Sequence, residues 1–98
     1  MNYQQKMVAA IEAAEKWQEV VAQLERDAEG RARTQLDHEA RVTNRPYPPA
    51  VLVHRTKVEL KDDILYAQAT GNRNAKQTLA QMYAAAAQVS AIYGLEVA

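Results

Sequence analysis

From Tyr3 to Ala28, apolar residues recur at Met7, Ala10, Ala14, Trp17, Val21, Leu24 and Ala28. Intervals alternating between three and four place them on one stripe of a helix. Glu12 and Lys16 stand four apart in the favourable order for a helical ion pair. The next heptad position falls on Arg31, beside Gly30, so the pattern predicts that the apolar seam stops there and the helix kinks or breaks. Residues 29 to 42 are more polar. Only Ala32, Leu36 and Ala40 repeat, at four-residue intervals, and predict a second helical stretch with a narrow contact face. Unbroken helix from Tyr3 to Val42 would be about 60 Å long, longer than any single partner in the chain.

TNRPYPP, residues 43 to 49, ends this region, because prolines lack an amide donor and push the preceding residue out of helical geometry. Beyond it, Val53, Leu60, Ile64 and Ala67 predict a helix over about 51 to 69, with brief extended structure at Val51 to Val53 as the alternative. Leu79, Met82, Ala86, Val89 and Tyr93 then form a regular seam, with Gly94 as its stop signal. Between these helices stands TGNRNAKQT, residues 70 to 78. Gly71 suits a left-handed helix end, and Asn74 with Gln77 three residues on makes a capping-box start, so the stretch predicts the turn of an antiparallel hairpin over 51 to 94.

That turn has two readings. It is a plain connection with Arg73 and Lys76 in water, or its helix N-terminus joins Arg73, Asn74, Lys76 and Thr78 to cradle a phosphate or carboxylate. In the connector, Arg45 and Tyr47 either stack on a planar ligand or, for the tyrosine, pack against the nearest helices. Asp37, His38 and Glu39 are consecutive and diverge by about 100° each on a helix, so no metal site is expected. Cysteine is absent and Ser90, the one serine, sits inside a helix, so no covalent catalysis is expected and the chain reads as a non-enzyme. Arg31, Arg33, Arg41, Arg45, Arg55, Lys57 and Lys61 make the middle basic, but interleaved carboxylates and an uncharged last helix argue against nucleic acid.

YPP at 47 to 49, the polar stretch with Arg73, and TLAQMYAAAAQVSAI at 78 to 92 together resemble the helical hairpin of phage-encoded anti-CBASS and anti-Thoeris sponge proteins, which sequester cyclic nucleotide signals. The resemblance covers residues 47 to 93. It implies a non-enzymatic homo-oligomer that binds nucleotide at subunit junctions, with Arg73 and Thr78 as the positions carried over, and a host cytoplasm as its setting.

Composition narrows the classes further. Ninety-eight residues allow one thin-cored domain, divided as an arm over 1 to 42, a proline connector over 43 to 50 and the hairpin over 51 to 94. Twelve basic residues balance twelve acidic ones, so any anion site must be local. No apolar run is long enough for a membrane span, and without cysteine the default compartment is the cytosol. Alanines 84 to 87 permit close helix approach on any side, which with the residual apolar surface predicts a homo-oligomeric helical bundle. The fold class is therefore all-α, with no cofactor. Three functions fit: sequestering a cyclic nucleotide or other anionic signal, binding a host protein through the 29 to 42 arm, or building a larger assembly such as a virion.

Overall fold

Asn2 starts the first helix by reciprocal capping: its side chain accepts from the Gln5 amide at 2.8 Å, and the Gln5 side chain accepts from the Asn2 amide at 3.0 Å. The structure, a computed structural model, describes residues 1 to 94. Helix α1, Tyr3–Thr43, then runs for 41 residues without a break. It ends where Asn44 turns left-handed at φ 54°, so that the Asn44 and Arg45 amides both donate to the Ala40 carbonyl. Pro46 lies just beyond this cap, where no helix can continue.

Two helices return along α1. Helix α2, Pro49–Lys61, has a proline in its first turn, where no amide partner is needed, and helix α3, Ile64–Tyr93, follows after Asp62 and Asp63. The Asp63 carboxylate accepts from the Tyr66 amide at 3.1 Å and sets its charge against the start of α3. Both helices pack on α1 and scarcely on each other. Arg55 meets Glu39, Arg31 meets Glu59, Tyr66 meets Glu25 and Arg73 meets Gln18, an antiparallel register running the length of the molecule. The product is a helical hairpin of 70 × 20 × 17 Å. Helices of 13 and 30 residues in series thus supply the long partner that α1, with 41, requires.

The all-α class, the long N-terminal helix and its packing against the C-terminal helices are as the sequence predicts. Several expectations are corrected, among them the single helix over about 51 to 69, which is divided at Asp62 and Asp63. First, Gly30 neither kinks nor breaks α1. It faces solvent between buried Ala28 and Ala32, while Glu29 and Arg33 pair across it at 2.7 Å, so packing on both sides outweighs the cost of a helical glycine. Second, residues 70 to 78 are not a turn: they lie inside α3, and the reversal occurs at residues 44 to 48. Third, the seam through Leu79, Met82, Ala86, Val89 and Tyr93 is not the one that meets α1. Met82, Val89 and Tyr93 are 62%, 47% and 73% exposed. Tyr66, Ala69, Arg73, Ala80, Tyr83 and Ala87 turn inward instead, at intervals of three, four and seven. Small residues at Ala69, Ala80 and Ala87 let α3 approach the alanines of α1, which bulkier Leu79 and Met82 would prevent.

The core is accordingly thin. Ala10, Ala14, Ala28, Ala32, Ala69 and Ala80 are buried, and among the described residues only Val21 and Leu36 add larger side chains. The α1 seam also continues past Arg31 through Ala32 and Leu36, because a step of four residues overshoots a full turn by about 40° and the contact face rotates slowly. A separate α2, offset at Asp62, tracks that rotation.

Glycine distinguishes a turn from a helix at position 71. A Cβ there, as at Gly30, meets nothing within 4 Å, whereas Gly94 caps α3 at φ 63°. Gly71→Ala and Gly30→Ala should each raise stability by about 0.5–1 kcal/mol in thermal denaturation followed by circular dichroism. A lowered melting temperature for Gly71→Ala would contradict the continuous helix. Gly94→Ala should lower it.

Candidate functional site

The six residues proposed for ligand binding fall in two separate places. Arg45 and Tyr47 lie in the connector, and Arg73, Asn74, Lys76 and Thr78 lie within α3. Tyr47 pairs with Asp37 and Arg73 with Gln18, positions about 28 Å apart along α1. One small ligand cannot touch both groups.

Within α3 the expected cradle does not form, since residues 70 to 78 present no helix N-terminus and their amides are bonded inside the helix. The Arg73 guanidinium donates to Gln18 Oε1 at 2.8 Å and to Asn74 Oδ1 at 3.1 and 3.2 Å, tying α3 to α1. Asn74 is therefore a partner of Arg73 rather than a cap. Thr78 is exposed and lies two residues from Lys76, on the far side of the helix.

Lys76 has a different setting. With Lys6, Leu79 and Tyr83 it lines a shallow recess floored by Ala9, Ala10 and Ala13. The Lys6 ammonium lies 5.6 Å from the centre of the Tyr3 ring, and Tyr3 stacks on Tyr83 with centroids 6.2 Å apart. Neither lysine forms an ion pair among the described residues. Two ammonium groups beside a tyrosine pair suit an anionic ligand with a planar part. Sequence reasoning missed Lys6, Tyr3 and Tyr83, because Tyr3 and Lys6 stand about 70 to 80 residues from Lys76 and Tyr83 and only the hairpin register unites the two pairs.

The connector is held by chemistry the sequence left open. Tyr47 packs as a half-buried residue and donates its hydroxyl to Asp37 Oδ1 at 2.5 Å. Arg45 is exposed and contributes its backbone amide to the α1 cap. The Asp37 hydrogen bond raises the Tyr47 phenol above its ordinary value, with burial and the carboxylate charge acting in the same direction and Arg33 opposing them. Tyr66 is raised chiefly by burial and then by Glu25. Metal chemistry has no such focus: among the described residues no cluster of three histidine or acidic side chains forms. Nor is any described helix long and apolar enough to cross a membrane.

A raised phenol means that the folded chain holds this proton more tightly than an unfolded one. The Tyr47 contact thus adds stability below pH about 10 and loses it as pH rises through the raised value. Absorbance titration of tyrosinate should show two groups, Tyr47 and Tyr66, ionising above the ordinary range, and Tyr47→Phe should remove one of them. An unchanged titration in that variant would contradict the assignment. No family model, curated protein or solved structure matches the chain.

Proposed function

We propose that this chain is a non-enzymatic interaction protein whose charged, connector-end half engages a protein partner while its other half serves assembly. The observation that supports this is the division of charge along a 70 Å rod. Eight of the twelve basic residues and seven of the twelve acidic ones lie between Arg26 and Asp63. The arm over 29 to 42 is aligned with α2 through Arg31–Glu59 and Arg55–Glu39 at 3.5 and 3.1 Å, so the two helices present their charges together. Arg41, Arg45 and Lys57 stand exposed there and take no part in those ion pairs. A charged, two-helix surface suits recognition of another protein, with orientation set by electrostatic steering.

Reversing Arg41 and Arg45 to glutamate should abolish retention of the partner on affinity purification from the native source, with helicity unchanged. Full retention by the folded variant would remove this reading.

A second reading is supported by the Lys6 and Lys76 recess: sequestration of a cyclic nucleotide or other anionic signal, its phosphates on the lysines and its base against Tyr83. Calorimetric titration with a cyclic dinucleotide should then give saturable heat that Lys6→Gln with Lys76→Gln removes. Absence of heat with the unaltered protein, or equal heat with both, would discard it.

A further inference from the structure

Helix α3 carries only two charged residues in thirty, Arg73 and Lys76, and both are half-buried toward α1. From Thr78 to Tyr93 there is none. A water-facing helix of this length ordinarily shows a charged face, whereas beyond Lys76 α3 sets an exposed stripe of Met82, Val89 and Tyr93 beside uncharged glutamines, and such an apolar stripe is ordinarily covered. Leu79, Met82 and Val89 form one stripe of α3. On α1, Trp17, Val20 and Leu24 continue the face begun by Ala9 and Ala13 at helical intervals. Ala9, Ala13 and Leu79 line the same recess, so the α1 stripe and Leu79 share one flank of the hairpin, and Met82 and Val89 carry the apolar surface on round the outer side of α3.

The amount of exposed surface says what covers it. A compact protein of 11.0 kDa exposes about 5,600 Å², whereas this chain exposes 7238 Å², an excess of about 1,600 Å². The radius of gyration is 20.5 Å against about 13 Å for a compact chain of this length. Obligate homodimers bury about 1,000–2,500 Å² on each subunit, and the excess falls within that range. A core in which Val21 is the largest fully buried side chain is too small for a lone domain. Covering the Trp17 and Met82 surface is what completes it.

We infer that this surface is covered by the same surface of a second copy of the chain, two hairpins closing face to face into a four-helix bundle. A self-complementary patch meeting itself about a two-fold axis requires no further component, and net zero charge on each copy leaves no long-range repulsion to oppose it. Trp17, Val20 and Leu24 of each copy then complete a core with Leu79, Met82 and Val89. This rests on reading the chain as a protein that works by contact, and assigns its apolar half to self-association.

Sedimentation equilibrium of the full chain at micromolar concentration, with helicity measured on the same sample, tests this. A dimer mass is expected for the unaltered protein. Met82→Lys should weaken association about a hundredfold or more, since an unpaired charge enters the interface in each copy, while Met82→Leu stays dimeric. Gln81→Lys adds the same charge one residue away, off that face, and should leave the dimer intact. A helical monomer from the unaltered sequence, or equal behaviour of Met82→Lys and Gln81→Lys, would overturn the inference. Either result leaves the charged-end partner test unaffected, because Arg41 and Arg45 lie in the other half of the rod.

Discussion

Close approach of two helices through alanine governs this molecule. Ala10, Ala14, Ala28 and Ala32 of α1 are buried, as are Ala69 and Ala80 of α3, and side chains of one carbon admit backbones to short range but bury little area per residue. Length replaces thickness: the seam holds because it is repeated over nearly the whole of α1. The same geometry turns Met82 and Val89 of α3 outward, since side chains of that size do not fit between two alanine faces.

Polar contacts then fix which residues meet. A seam of near-identical alanines would tolerate sliding by a turn, but Arg73 with Gln18, Tyr66 with Glu25, Arg31 with Glu59 and Arg55 with Glu39 each fit one register. These surface pairs add little stability individually, and their service is alignment. Tyr47 on Asp37 does the same at the reversal, where the prolines already limit the path of the chain.

Helix content, the end of α1 at the proline segment and the Gly94 stop were legible because each depends on local chemistry: heptad spacing, proline and a helix-ending glycine. The turn at 70 to 78 was misplaced for a physical reason. Gly71 and Asn74 carry the local preferences of a helix end, yet Ala69 and Arg73 on the inward face hold the segment helical through contacts about fifty residues away. Conversely, Asp62 and Asp63 do end a helix and bear an ordinary cap, a signal hidden because the apolar pattern from Leu60 to Ala67 runs straight across it. The site suffered similarly: Lys76 was visible alone, while Lys6 and Tyr3 join it and Tyr83 only once the register is known.

The joint at Asp62 and Asp63 divides the rod into lengths of unequal cohesion. On one side α3 inserts Ala69 and Ala80 into the seam; on the other, α2 has no fully buried residue and leans on ion pairs and half-buried Leu52 and Leu60. Backbone hydrogen bonds of α2 therefore open at lower free energy than those of α3, and the hairpin frays from its reversal while its other end stays zipped. Amide exchange would proceed along the rod as a gradient, fastest in α2. The charged half can thus adjust to what it meets without loosening the half that holds the molecule together.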